Sequence, residues 1–258
     1  MPRLFVPGSI DYDGPMSRDF NCGRALSSHS LAVWRAALEP HIGRADIVLD
    51  LGSGTGRFAT LIAHWFNTLV IGVEPAKGMR DMAASPGKHS KVFYIAGRAE
   101  QLPLRGKSLG AAILSNVYHH VADKAACASE LRRVLKTGGQ ALIRGAFADR
   151  LGEITMFDYF PEAKAICAQF PTMEKTVQTF TNFGFTFETV ERVIQQTCSN
   201  LTELAARTRL RADTTLAMMA DHEFISRQEA LERAAANETK PTAIIDTLDL
   251  LVLRNRAG

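Results

Sequence analysis

The sequence predicts one α/β domain built on a seven-stranded, mostly parallel sheet with helices on both faces. Three observations predict it. Short apolar strands alternate with helix-period segments over residues 28–145. One strand runs straight into glycines at alternate positions, Val48-Leu49-Asp50-Leu51-Gly52-Ser53-Gly54-Thr55-Gly56. The length, 258 residues, suits a single domain with insertions and is short for two independent enzymes.

Residues 1–20 are rich in Gly, Pro, Asp and Ser and predict an irregular segment, part of an N-terminal arm over 1–27. Ser28 to Leu38 has apolar residues at helical spacing. Ile47–Leu51 is a buried strand, Phe58–Phe66 a helix, Leu69–Val73 a second strand and Gly78–Ala84 a helix. Lys91–Ile95 and Ala111–Ser115 follow as strands. Asp123–Leu135 is a helix stopped by Thr137-Gly138-Gly139, and Gln140–Arg144 is the fifth strand. Residues 28–145 thus make the core of a Rossmann-like sheet.

The rhythm then breaks. Residues 146–171 carry aromatics, acids and Pro161 and predict an insertion. Thr172–Phe183 is helical, Thr186–Thr197 a strand, 199–239 a second, helical insertion, and Ala243–Leu253 the last strand. Helical insertions after strand five and between the last two strands are placed as lids, because open α/β sheets bind ligands beyond their strands' carboxyl ends.

Composition narrows the function. Hydrophobic residues make up 46% and charged residues 22%, ordinary for a globular protein, so disorder is not the default reading. The net charge of +3 comes from interspersed signs, so nucleic acid is not an expected partner. Cys22, Cys127, Cys167 and Cys198 form no CxxC pair and match no zinc spacing, so no metal is expected. A redox or arsenic-binding role would need three of these thiols to converge; buried small hydrophobes are the plainer reading. No apolar run approaches the ~20 residues of a membrane span, and Met1–Tyr12 lacks a signal peptide's apolar core. A cytoplasmic enzyme with a small-molecule substrate, monomeric or homodimeric, is the expectation.

The glycine turn carries the chemistry. Glycine lets the backbone turn tightly and a ligand approach it, with the next helix's amides facing that ligand. A dinucleotide fingerprint wants its third glycine at the sixth position, counting the first as one. Counting from Gly52, the sixth residue is Arg57 and the glycine stands one place earlier, at Gly56. This disfavours NAD. Glu74 ends strand two, 22 residues beyond Gly52, where a carboxylate accepts hydrogen bonds from ribose hydroxyls; a plain surface acid is the alternative.

With these motifs the sequence resembles the class I S-adenosylmethionine-dependent methyltransferases, within them the ubiquinone/menaquinone-methyltransferase-like small-molecule group. The carrying blocks are VLDLGSGTGRF (48–58), VIGVEPAKGM (70–79), GRAEQLPL (97–104), LSNVYHHVAD (114–123) and ELRRVLKTGGQALI (130–143). The resemblance implies an S-adenosylmethionine cofactor. Gly52, Gly54 and Gly56 would line its methionine and ribose, with Asp50 ordering the loop and the cofactor amino group. Glu74 would hold the ribose; Pro75 and Met79 would flank the adenine, and Ala99 would bond its edge. Ser115 and Asn116 would lie near the amino group and sulfonium.

Two positions depart from the family. Arg98 stands where an adenine-binding Asp is usual, and arginine has no acceptor. Adenine recognition then falls to backbone, to Glu100 or to Arg98 stacking. Gly110 replaces a usual acid in what reads as a surface turn. From the arm, Tyr12 and Arg24 are candidate cofactor contacts, Arg24 (or Arg18) for the carboxylate; solvent-exposed arginines are the alternative.

His119 and His120 follow strand four at the cofactor's reactive end, and related enzymes use a histidine there as base. Helix capping and core packing are the alternatives, and the sequence does not choose between the two residues. Asp149, after strand five, is a catalytic candidate or a helix cap. Phe157 and Tyr159 would line an apolar substrate pocket. Arg209, with Arg207, Arg211 and nearby Asp213, would bind an anionic group or merely form a solvated face. The sequence thus predicts methyl transfer to O, N or C of a small molecule of quinone-type or secondary metabolism. A protein that binds the cofactor but catalyses cyclisation or isomerisation is the alternative.

Overall fold

A computed structural model of the chain describes residues 4–14, 16–85 and 89–256, with the side chains of 16–18 outside the description. Five parallel strands form the body of the sheet: β1 (Ile47–Leu51), β2 (Leu69–Val73), β3 (Val92–Ile95), β4 (Leu109–Ser115) and β5 (Leu135–Gly145). The hairpin of β6 (Phe185–Cys198) and β7 (Ile244–Asn255) completes it, with β7 antiparallel to both neighbours. The order is β3-β2-β1-β4-β5-β7-β6. The order reverses between β1 and β4, and a crevice opens beyond the strand ends at such a point.

Both faces of the sheet are covered, so its central strands are nearly continuous apolar runs. Along β1, Val48 faces Trp34, Leu38, Phe58 and Ile62, from α2 (Ser28–Ile42) and α3 (Arg57–Phe66). Its neighbour Leu49 belongs to the opposite layer with Leu131 and Phe180, from α5 (Lys124–Val134) and α8 (Met173–Asn182). Period-two alternation on a strand sends neighbours to opposite faces. A further helix, α4 (Lys77–Ala83), follows β2.

The arm is not irregular throughout: α1 (Met16–Gly23) lies within it. The fifth strand starts earlier than Gln140, because Leu135 already pairs with Leu109 before an irregularity that takes up Gly138 at φ +78°. The first insertion contains α6 (Met156–Tyr159) and α7 (Pro161–Cys167); the second splits into α9 (Leu201–Thr208), α10 (Thr214–Met218) and α11 (Asp221–Ala236). Arg211, at φ +47°, breaks α9 from α10, and the Asp213 side chain caps α10. Phe157 and Phe160 of one insertion pack with Leu204, Leu216 and Phe224 of the other, and Phe5 of the arm joins them. The insertions and the arm therefore make one cap rather than separate lids.

Among the described residues no helix is long and apolar enough to cross a membrane, and no cluster of His, Cys, Asp and Glu would hold a metal. Three cysteines are buried and Cys22 is exposed, all free.

Candidate functional site

The three glycines of the turn are required for different reasons. All have positive φ: +67° at Gly52, +53° at Gly54 and +76° at Gly56. A Cβ on Gly52 would meet Val117 at 2.2 Å, and one on Gly56 would meet the Tyr94 hydroxyl at 2.0 Å. At Gly54 the nearest neighbour is Phe20 at 3.9 Å, so that residue faces open space. Gly52 and Gly54 line the cavity beyond the strands; Gly56 turns away beneath Tyr94 and is not part of its wall.

That cavity is about 550 Å³ and runs from the glycine turn under the cap. Glu74 sits at its floor. Its Oε2 accepts from the Gly54 amide at 2.9 Å and its Oε1 from the Ala76 amide at 3.0 Å. Burial raises its pKa, and these two amides pull it back. Asp50, behind the turn, is fully buried; burial raises its pKa to about 7, and its Oδ2 has no partner among the described residues. Pro75, Met79, Arg98, Ala99 and Glu100 line the same end of the cavity. Glu100 is already engaged, accepting from the Ala122 amide at 3.0 Å. At Gly110 a Cβ would come within 2.9 Å of the Ala45 Cβ, so packing explains why no acid stands there.

Ser115 and Asn116 close β4 against the cavity. Asn116 holds φ +54°, a conformation asparagine tolerates better than most residues. With its amide turned to suit its neighbours, its oxygen accepts from Arg24 Nη2 at 2.9 Å and from Arg144 Nη1 at 2.8 Å. Arg24 also pairs with Asp213 of the second insertion, whose pKa that pairing helps lower against the opposing effect of burial. Arg18 lies outside the described side chains.

The two histidines differ. His120 Nε2 lies 3.0 Å from both the Tyr12 hydroxyl and the Thr214 hydroxyl, which are themselves 3.0 Å apart. Burial lowers its pKa to about 4, and burial raises that of Tyr12 to about 12, so both are neutral near pH 7. His119 stacks on Phe170, with ring centres 4.1 Å apart and planes 6° from parallel. It lines the cavity, and its Nε2 is buried with no partner among the described residues. Burial, then the His120, Arg24 and Lys124 charges, drive its pKa well down.

Other expected residues stand elsewhere. Asp149 is outside the cavity wall; its Oδ1 accepts from the Met173 amide at 2.8 Å, which ties down the start of α8. Of the two aromatics, Phe157 lines the cavity and Tyr159 does not. Arg209 is 66% exposed and paired with Glu232, away from the cavity, because the helix turns it outward. Arg207 does line the cavity but is engaged by the Ala25 and Thr197 carbonyls and Glu203. Sequence reasoning missed Thr214, Phe170 and the buried Arg144; only Arg144, a charge in an apolar strand, left a sequence signal.

Residues 49–143 match the profile of a family described as a methyltransferase domain. Over these residues the core is similar to class I S-adenosylmethionine-dependent methyltransferases. An uncharacterized methyltransferase of Mycobacterium sp. (strain JLS) is 34% identical over 111 residues, 43% of this chain and 42% of that protein. A ubiquinone/menaquinone biosynthesis C-methyltransferase of Xylella fastidiosa (strain M23) is 35% identical over 104 residues, 38% of this chain and 41% of that protein. The matches thus span less than half the length of these curated relatives. The fold reaches further. A protein of Anabaena variabilis ATCC 29413, solved as a supposed methyltransferase of an antibiotic biosynthesis pathway, superposes with a TM-score of 0.68 at 19% identity. That likeness covers 84% of this chain and 96% of that one.

Proposed function

We propose that the chain transfers the methyl group of S-adenosylmethionine to a small-molecule acceptor held between the glycine turn and the cap. The observation that carries this is the Glu74 carboxylate, oriented by the Gly54 and Ala76 amides on the floor of a 550 Å³ cavity. It offers its remaining lone pairs to two ribose hydroxyls. Gly54 leaves the backbone open to the cofactor, Pro75 and Met79 flank the adenine, and the Ala99 backbone serves its edge in place of the missing acid. Asn116 and Arg24 hold the amino-acid end.

When bound, the cofactor supplies an activated methyl group, which an acceptor displaces in line. The chain supplies alignment and dryness. His119, not His120, is the histidine that meets the acceptor, because Tyr12 and Thr214 already occupy His120 Nε2. Neutral and unpartnered, His119 accepts a hydrogen bond from the acceptor's O–H or N–H and orients it. Phe157, Phe170 and Leu216 give part of the cavity an apolar wall that helps exclude water. A biosynthetic role in the cytoplasm fits this reading.

The test is turnover with labelled S-adenosylmethionine and a panel of small phenols, amines and acids. S-adenosylhomocysteine released in step with a methylated product supports the proposal. Cofactor binding with product rearrangement and no S-adenosylhomocysteine supports cyclisation or isomerisation instead.

A further inference from the structure

One wall of the cavity holds two arginines, Arg144 and Arg57, that form no ion pair among the described residues. Arg144, at the end of β5, is 2% exposed. It lies 4.2 Å from the ring centre of Trp34 and 4.9 Å from that of Phe58. Its Nη1 donates to Ser115 Oγ at 3.2 Å and its Nη2 to Gln195 Oε1 at 3.3 Å, both neutral acceptors. Its Nε is buried without a partner among the described residues, and so is Nη1 of Arg57, the first residue of α3. Both residues line the cavity.

The other arginines on this wall are matched, Arg24 by Asp213 and Arg207 by Glu203. Asp50 acts on Arg57 only weakly, after burial and the Arg24 and Arg207 charges, and its own pKa of about 7 leaves it partly protonated near neutrality. A buried charge without a counter-charge costs several kcal/mol. The cofactor does not remove this excess. Its carboxylate is offset by its own ammonium, and its sulfonium adds one further positive charge.

Arg144 bonds Ser115 and Asn116, which close β4, but does so from the next strand outward. In the sheet order β4 lies between β1 and β5. At ~4.8 Å per strand, the end of β5 stands roughly 10 Å from the strand that carries the glycine turn. That sets the Arg144 backbone beyond β4, on the side away from the glycine turn.

We propose that Arg144, supported by Arg57, forms an anion subsite, and that the acceptor is an apolar or aromatic carboxylic acid. This rests on the methyltransferase reading above. Each guanidinium keeps an N–H that nothing among the described residues takes up, and a guanidinium is the side chain best suited to pair with a carboxylate. Trp34 and Phe58 hold the Arg144 plane in place, and Phe157, Phe170 and Leu216 receive the apolar body of the acid.

The test is calorimetric titration of the full chain, saturated with S-adenosylhomocysteine, with benzoate and cinnamate against benzamide and cinnamamide. The carboxylates bind wild type at least tenfold more tightly than the amides. Arg144→Gln abolishes that preference and leaves S-adenosylhomocysteine affinity within threefold, while Arg144→Lys restores part of it. Arg57→Gln, at a less buried site, weakens it and serves as the readout if circular dichroism shows Arg144→Gln unfolded. Equal binding of acids and amides, or binding of neither, overturns the proposal; so does an Arg144→Gln loss of S-adenosylhomocysteine affinity, which would assign the residue to the cofactor. Failure of S-adenosylhomocysteine to bind wild type strikes the methyltransferase reading itself.

Discussion

The Tyr12 hydroxyl lies 3.0 Å from His120 Nε2, joining the N-terminal arm to the end of the core's fourth strand across 108 residues of sequence. Thr214 completes the triangle from the second insertion. Arg24 repeats the link, joining the arm to Asp213. Arm, core and cap are thus latched together over the cavity by groups that burial keeps neutral, reinforced by one ion pair.

Tyr12→Phe removes two of these three contacts, leaves His120 and Thr214 to each other, and keeps both buried. The expected loss is about 1–3 kcal/mol, read as a lower melting temperature. Faster amide exchange over residues 210–218 is expected with it, because the cap is anchored there. Unchanged exchange would show that the latch holds nothing.

His119 and His120 are expected to separate in kinetics. His119→Phe lowers kcat with little effect on S-adenosylhomocysteine affinity, because the residue faces the acceptor. His120→Phe disturbs the latch, so it lowers melting temperature and raises amide exchange as Tyr12→Phe does. Both are measured by turnover on an identified acceptor, with calorimetry alongside.

Asp50 and His120 are expected to give stability slopes of opposite sign with pH. The folded-state pKa of Asp50 is raised from 3.8 to about 7, so between these values the folded chain holds more of this proton than the unfolded chain. Its contribution therefore falls as pH rises through that window, at most about 1.4 kcal/mol per pH unit. His120 is lowered from 6.5 to about 4, so its contribution is present above 6.5 and is lost as pH falls towards 4. Denaturant titrations from pH 4.5 to 7 check this: Asp50→Asn gains on wild type as pH rises, and His120→Gln gains as pH falls.

Asp149→Ala is expected to act on stability alone. It frees the amide that opens α8, a loss of about 1 kcal/mol by analogy with helix caps. Arg209→Ala, on an exposed pair, should change stability by less than about 1 kcal/mol. Neither should alter S-adenosylhomocysteine affinity by calorimetry; a tenfold change in either variant would return that residue to the site.

The strands were legible because they are buried on both faces and bounded by glycine or polar turns: Ile47–Leu51 and Leu69–Val73 are read from their sequence to the residue. The cofactor end was legible because its residues are close in sequence, Gly54 and Glu74 being joined across 20 positions. The acceptor end was not. It is assembled from contacts such as Tyr12 to Thr214, 202 residues apart, which no local pattern records. Asp149 and Arg209 misled because their residue types suit chemistry and surface equally, and only the direction of the side chain decides. Arg144 did leave a trace, a charge at the end of an otherwise apolar run, Ala141-Leu142-Ile143-Arg144, that surface reasoning cannot accommodate.

The most direct measurement is the affinity of S-adenosylhomocysteine for wild type and for Glu74→Ala, by calorimetry at pH 7.5. Charge-assisted hydrogen bonds are worth about 1.5–3 kcal/mol each. At about 1.4 kcal/mol per tenfold, losing both ribose contacts should weaken binding by roughly a hundredfold to ten-thousandfold, with the fold retained by circular dichroism. Equal affinity in the two proteins, or tighter binding of NADP than of S-adenosylhomocysteine by wild type, would contradict the account.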